Sequence, residues 1–323
     1  MIRVEDWQGT PVYTMENERL VVSVCPSLGN NNFRIWDKKL EREVLRVPAS
    51  PAELLANPSH YGTPVLMPPN RIHKGVFRFG GRDYRFDVNT PAGHHIHGLI
   101  RTAPWNVKDT SESADCQSVT CTLALSDFPD MMRQYPHDLL LEMTWELKGS
   151  TLIQKLAVTN RGREAAPFGY GLHTWFMIDG QPDRWKLALP SEGIWELNED
   201  LLPTGRIVPL GIHEDFDRAE GGNLAGKDLD TVFYIGDRSR TAVLTRSDGY
   251  QLRYSVSPEF KHWVIFTKGK ADQWICLEPY TWVTNAPNLH LDPELTGLRA
   301  VEAQSTLRLE VTLDIVGRAE KLG

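Results

Sequence analysis

The sequence predicts an all-β protein of large antiparallel sheets packed face to face, and three observations carry that reading. Apolar residues recur at every second position in several segments, which is the pattern of half-buried antiparallel strands. Glycine-rich turns join neighbouring segments of this kind, and helix signals are scarce. Two packed sheets of many strands with few short helices follow from these three facts.

Taken along the chain, the one good helix signal is Ser50-Pro51-Ala52-Glu53, a capping box with proline at the first helical position, and Pro58 limits that helix to about two turns. Next, Gly80-Gly81 separates Val76-Phe77-Arg78-Phe79 from Arg82-Asp83-Tyr84-Arg85-Phe86. Two glycines accept the positive φ of a primed turn, so a tight hairpin is expected. Val119, Cys121, Leu123 and Leu125 alternate with mostly polar neighbours, as do Leu139, Leu141, Met143, Trp145 and Leu147. Lys148-Gly149-Ser150 is read as a second hairpin turn. Residues 214–228 are rich in Gly, Asp and Asn and read as a long surface loop, of the kind that often borders a cleft in a β scaffold. Near the C-terminus Leu307, Leu309, Val311, Leu313 and Ile315 face away from Arg308, Glu310, Thr312 and Asp314. No long linker or internal repeat divides the chain, so residues 1–323 are read as one domain.

The bulk numbers narrow the function. The 323 residues carry a formal charge of −7 with a pI near 5.8, and no Lys/Arg block marks a nucleic-acid or anionic-membrane footprint. Small uncharged substrates fit that balance best; nucleic acid and membrane partners are not expected. Met1 to Trp7 lack the basic-then-apolar layout of a signal peptide, and no apolar run approaches the roughly twenty residues of a membrane span, so a cytoplasmic protein is expected. Cys25, Cys116, Cys121 and Cys276 form no C-x-x-C pair and read as reduced structural thiols, Cys276 as a small buried hydrophobe.

Four segments could carry chemistry. Glu278-Pro279 follows the apolar run Trp274-Ile275-Cys276-Leu277, which reads as a buried strand ending at a carboxylate. Burial would raise its pKa, and a nearby Arg71 or protonated histidine would lower it; the structural alternative is an ion pair. His173 follows Gly169-Tyr170-Gly171-Leu172 and is shielded by Leu172, Trp175 and Phe176; it is either a proton carrier or a satisfied core histidine. His94, His95 and His97 invite a metal reading, since His95 and His97 would share one strand face, but no second ligand set lies nearby. His94 and His95 are therefore read as polar loop residues, and His97 keeps a functional reading. Arg71 in Pro68-Pro69-Asn70-Arg71 rides on a stiff extended segment suited to hydroxyl or carboxylate recognition, or is a plain surface arginine. Ten tryptophans could stack on sugar rings, though most belong to the core.

Read together in chain order, Asn70-Arg71, the Phe77 hairpin, His97-Gly98 with Arg101 and Pro104-Trp105, the glycine-rich approach to His173, Asp230-Thr231-Val232-Phe233, and Glu278-Pro279 resemble the aldose 1-epimerase (galactose mutarotase) family over most of the chain. The resemblance implies a galactose mutarotase-like β-sandwich whose open face binds a pyranose without cofactor or metal, as a monomer or homodimer. It implies interconversion of the α and β anomers of a free aldohexose, with Glu278 as general base, His173 as general acid, and Arg71, His97 and Asp230 holding or polarising the sugar. The division of roles asks for a charged carboxylate and a protonated imidazole near pH 7. Two departures bear on sugar preference: the family's usual His-Pro-Tyr-Phe is His173-Thr174-Trp175-Phe176 here, and Thr231 stands where a second histidine is common. Three rivals stay open: a hexose 6-phosphate 1-epimerase gripping phosphate through Arg71, Arg101 or Lys74, a non-catalytic carbohydrate-binding protein on the same scaffold, and a metal-dependent isomerase using the histidines near position 95.

Overall fold

A computed structural model describes residues 1–270 and 273–317. Among them, a nine-stranded and an eight-stranded antiparallel sheet dominate, and a five-stranded sheet from the N-terminal segment joins them. The nine-stranded sheet holds the expected alternating strands. Leu139–Lys148 pairs with Thr151–Asn160 over ten residues in unbroken register, from Leu139 opposite Asn160 to Lys148 opposite Thr151. Every odd residue from Leu139 to Leu147 is buried, and Gly149 at φ 56° makes the turn. Thr306–Val316 lies on the far side of that hairpin. A one-residue slip would turn all these apolar side chains to solvent, which is what fixes the register.

The eight-stranded sheet runs, in spatial order, through Pro203–Val208, Gly193–Leu197, Asp228–Tyr234, His262–Lys270, Trp274–Tyr280, Gly171–Leu172 and Val65–Leu66, with Thr174–Met177 also pairing along Trp274–Tyr280. Its inner face meets the nine-stranded sheet: Thr174 Oγ1 hydrogen-bonds Tyr254 OH at 2.8 Å, and Tyr170 OH donates to Gln154 Oε1 at 2.9 Å. Its outer face forms a cavity floor.

The Gly80-Gly81 hairpin forms as expected, with φ of 56° and 82°. Helix Pro51–Ala56 also forms, capped by Ser50 Oγ accepting from the Glu53 N–H at 3.1 Å. The reciprocal half of the capping box is displaced by one residue, since Glu53 Oε2 accepts from the Ala49 N–H at 2.6 Å. Three expectations are corrected. Residues 214–228 are not bare loop: they contain most of the 3-10 turn Gly211–Asp217 and the strand Gly222–Asn223, which pairs with Trp185–Ala188, and none of them lines the cavity described below. The strand bearing Glu278 does not end there but continues to Tyr280, with Pro279 opposite Trp263. His94 and His95 are not exposed loop residues. Both are buried; His94 Nδ1 accepts from the Lys74 N–H at 3.1 Å, and His95 Nδ1 is 2.7 Å from the Asp87 carbonyl.

Candidate active site

Strand register assembles the site. Gly171 pairs with Tyr280 and Thr174 with Leu277, and the same antiparallel count sets His173 directly opposite Glu278. On the other side of Trp274–Tyr280, Val264 faces Glu278 and Phe266 faces Cys276; one strand further, Asp230 faces Phe266. Period-two alternation then turns His173, Glu278, Val264, Phe266 and Asp230 to one face, where all five line a cavity of about 350 Å³. His173 itself sits in the gap between Gly171–Leu172 and Thr174–Met177. Proline at 279, opposite Leu172 by the same count, has no N–H to give the ladder there.

The walls come from segments laid over this face. Arg71 and Ile96 are paired residues of a short two-stranded ladder, and the Arg71 carbonyl accepts from the Asn285 N–H at 2.9 Å. Asn70 and His97 both hold left-handed backbone, at φ 54° and 62°, and the His97 N–H donates to the Asn70 carbonyl at 3.0 Å. Such conformations are uncommon outside glycine and collect at functional sites. Because the strand His95–Ile96 stops before His97, alternation fails and His95 and His97 do not share a strand face: His97 lines the cavity, while His95 packs on Phe86. Gly98 at φ 68° lets the chain pass the Met67 backbone, where a Cβ would lie 2.0 Å from the carbonyl oxygen. Residues 56–60, at the end of the helix, close the rim, so that helix borders the cavity as well as decorating the fold.

His173 Nε2 lies 3.3 Å from Glu278 Oε1, and both side chains are almost fully buried. The Tyr280 hydroxyl donates to Glu278 Oε2. The imidazole is held on two sides, by the Trp175 ring stacked at 5.4 Å and the His97 ring edge-on at 5.0 Å. Burial dominates the electrostatics. It pushes the Glu278 carboxyl well up, helped by Asp230 and countered by Tyr280, Cys276 and Arg71. Burial likewise pulls His173 down to about 3, with His60 and Arg101 adding repulsion, and pulls His97 well below its ordinary value. Asp230, open to the cavity yet walled by protein, is pushed up by burial and drawn back by Arg71.

Both directions run against the carboxylate and imidazolium that the division of roles asks for, because a charge in a buried site costs several kcal/mol per ion. One proton moved across 3.3 Å interconverts the ion pair and the neutral pair.

All five residues singled out from the sequence, Arg71, His97, His173, Asp230 and Glu278, line this one cavity. Arg101 and Asn70, both part of the motifs quoted above, join them, as do His60 and Phe266, the last two without any signal noted in the sequence. None of the tryptophans lines it. Cys276 is buried, as expected, but is more than a small hydrophobe: its Sγ lies 2.8 Å from His173 Nδ1. Cys276, Glu278 and Tyr280 share one strand face by simple alternation, which is the signal that could have found both neighbours. His173, Cys276 and Glu278 bring ligand-type atoms within 4.8 Å of one another. Sulfur and carboxylate, however, face opposite ring nitrogens, and zinc bonds of about 2.0–2.3 Å to N and S hold those ligand atoms further apart than the 2.8 Å contact here. The Nε2–Oε1 spacing is that of a hydrogen bond.

Comparison with known proteins gives the class to which this scaffold belongs. The aldose 1-epimerase family model matches residues 11–313. The chain belongs to the aldose 1-epimerase family. It is 24% identical to the Escherichia coli protein YphB over 259 residues, 78% of this chain and 82% of that one. It is 28% identical to the Escherichia coli protein YihR over half of each chain, and 25% identical to galactose mutarotase of Sus scrofa over 49% of this chain and 45% of that one. The chain thus spans about half the length of several of the curated relatives it matches. Among solved structures, a galactose mutarotase-like protein from Clostridium acetobutylicum superposes with TM-score 0.92 at 23% identity, covering 98% of both chains. Galactose 1-epimerase from Lactobacillus acidophilus gives 0.79 at 17% identity, again over 98% of both. At these identities the likeness establishes the galactose mutarotase-like β-sandwich.

Proposed function

We propose that this chain is a cofactor-independent aldose 1-epimerase that interconverts the α and β anomers of a hexose. The observation that carries the reading is the His173–Glu278 pair, 3.3 Å apart on the floor of a cavity of about 350 Å³. That volume sits at the small end of the roughly 300–1,000 Å³ typical of small-molecule sites and suits one pyranose.

The pair carries one mobile proton. With it on His173 Nε2, the Glu278 carboxylate, held by the Tyr280 hydroxyl, is the base for the anomeric O1–H, and the imidazolium is the acid for the ring oxygen. Moving both protons breaks the C1–O5 bond and leaves the open-chain aldehyde. Rotation about C1–C2 presents the other carbonyl face, and reversing the two transfers closes the ring as the opposite anomer. Each turnover restores the starting protonation. Arg71, Asp230 and neutral His97 face the same space and are assigned to the sugar hydroxyls, and Phe266 offers an apolar surface to a ring face. Positioned acid and base groups each contribute roughly 10² to 10⁴ in rate, enough for a reaction that needs proton transfer alone. A binder on this scaffold has no need of a proton-transfer pair. NMR exchange spectroscopy on α/β-glucose and α/β-galactose tests the assignment: turnover above the spontaneous rate is expected, and affinity without exchange would favour the non-catalytic rival.

One observation favours a second reading. Arg71 directs NH1 to Asn70 Oδ1 at 3.2 Å and Arg101 directs NH1 to the Ile96 carbonyl at 2.7 Å; neither forms an ion pair among the described residues. Two cavity-facing guanidinium groups of this kind suit an anionic substituent such as a 6-phosphate. Comparing kcat/KM for glucose with that for glucose 6-phosphate separates the two substrates.

A further inference from the structure

The sulfur contact at His173 has no part in the proton cycle just described. Nδ1 lies 2.8 Å from Cys276 Sγ, while Nε2 faces Glu278. The two ring nitrogens are not independent, because the hydrogen bond made by one decides which tautomer the other presents. In both states of the one-proton pair, the neutral form in which Nε2 accepts from Glu278 and the charged form in which it donates, Nδ1 must keep its hydrogen. That N–H needs an acceptor, and its contact is Sγ.

We propose that Cys276 is a positioning residue: its sulfur accepts the Nδ1–H of His173 and so holds the imidazole in the tautomer whose Nε2 trades a proton with Glu278 and the sugar. This deepens the epimerase reading and rests on it. Three features support it. Cys276 is fully buried on the same strand face as Glu278, one diagonal step from His173, so the contact is fixed by register. The ring plane is already set by Trp175 and His97, which leaves the tautomer as the open variable. Burial and the Glu278 carboxyl also keep the thiol protonated, and Glu278 lies within reach of its S–H. The sulfur therefore offers a lone pair without a negative charge that would trap the imidazolium.

The choice of sulfur has a chemical sense. A carboxylate or carbonyl at Nδ1 strengthens the basicity of the ring, as second-sphere partners of histidine commonly do. A neutral sulfur is a weak acceptor. It orients His173 while leaving the imidazolium a strong acid, which suits delivery to a weakly basic ether oxygen.

The test has a spectroscopic and a kinetic arm. ¹⁵N NMR of the wild-type full chain at pH 8 reads the His173 tautomer directly, and a protonated Nδ1 with an unprotonated Nε2 is expected. The reverse pattern, with the thiol donating to a bare Nδ1, overturns the proposal. In Cys276→Ala a mixture of tautomers is expected, with kcat lower by roughly 3- to 10-fold, KM within about twofold and a displaced pH profile. Cys276→Ser restores the wild-type tautomer and part of kcat. Cys121→Ala, a buried thiol elsewhere in the nine-stranded sheet, leaves all three unchanged and reports what a core cavity alone does. A Cys276→Ala enzyme with wild-type tautomer, kcat and pH profile contradicts the assignment. If wild-type protein turns over no sugar, the epimerase reading fails, while the tautomer spectrum still decides for or against the sulfur contact.

Discussion

Tyr280→Phe removes one hydroxyl from the site and little else. The Tyr280 ring is fully buried and packs against Gly171, where a Cβ would come within 2.3 Å of the ring, so phenylalanine keeps the same seat. The interactions lost are the O–H donated to Glu278 Oε2 and the Asn70 side-chain contact with the hydroxyl, of which only the first acts on the carboxylate directly. A hydrogen bond to a charged group contributes about 1.5–3 kcal/mol and one to a neutral group about 0.5–1.5 kcal/mol, so the ionised form of Glu278 loses about 1–1.5 kcal/mol relative to the protonated form. At 1.36 kcal/mol per pH unit, that is a rise of about one unit in the apparent pKa of the pair. The sign adds to the existing displacement: burial already pushes Glu278 up, and Tyr280 is the leading influence pulling it down. Anomer exchange followed by NMR from pH 5 to 9, with the buffer-catalysed background subtracted, should show the limb at which the base becomes available shifted to higher pH, and a rate at pH 7 roughly tenfold lower than wild type. A limb that stays in place, or moves to lower pH, refutes the reasoning that Tyr280 stabilises the charged carboxylate.

Other consequences follow from the same structure. Burial holds His262 at about 3, with the Trp195 indole N–H donating to Nδ1 at 3.2 Å. Its folded pKa is depressed, so its stabilising contribution is intact above the unfolded value near 6.5 and declines by about 1.4 kcal/mol per pH unit as pH falls toward the folded value. His262→Gln should flatten the loss measured by urea melts at pH 7, 6 and 5, and an unchanged slope contradicts the assignment. Gly98→Ala should cost more than Gly81→Ala. Both glycines are left-handed, a strain of about 1–2 kcal/mol for alanine, but a Cβ at 98 also strikes the Met67 backbone whereas one at 81 meets nothing within 4 Å. Equal losses in thermal melts would remove the clash argument. Arg101→Gln should weaken kcat/KM for glucose 6-phosphate more than for glucose, by roughly tenfold or greater if the guanidinium grips an anion; equal losses remove the anionic reading.

The β architecture was legible because its signal is local. Alternation from Leu139 to Leu147 and the Gly80-Gly81 turn each lie within a few residues, and both appear as read. The helix at Pro51–Ala56 was legible for the same reason, through its cap. The juxtaposition of His173 and Glu278 was not, since a pairing between strands a hundred residues apart has no local trace; family resemblance supplied it. Local logic misled where tertiary packing overrode it. His94 and His95 look like a polar loop but are buried, and backbone groups at Lys74 and Asp87 meet one ring nitrogen, Nδ1, of each. Proline at 279 suggested a strand end, yet the strand passes through it because the ladder is already interrupted beside His173. The pKa directions were likewise invisible, since they depend on burial, and burial works against the charges that the division of roles alone suggests.

The central claim is that His173 and Glu278 move protons between the two oxygens of the anomeric carbon. The most direct measurement is saturation-transfer NMR of α/β exchange, at low buffer concentration and saturating hexose, for wild type, His173→Asn, Glu278→Gln and the double variant, each shown folded by circular dichroism. The account predicts a loss of roughly 10² or more in each single variant, and a double variant no slower than the worse single one, as for residues that act as a unit. Exchange at the wild-type rate in either single variant would contradict it.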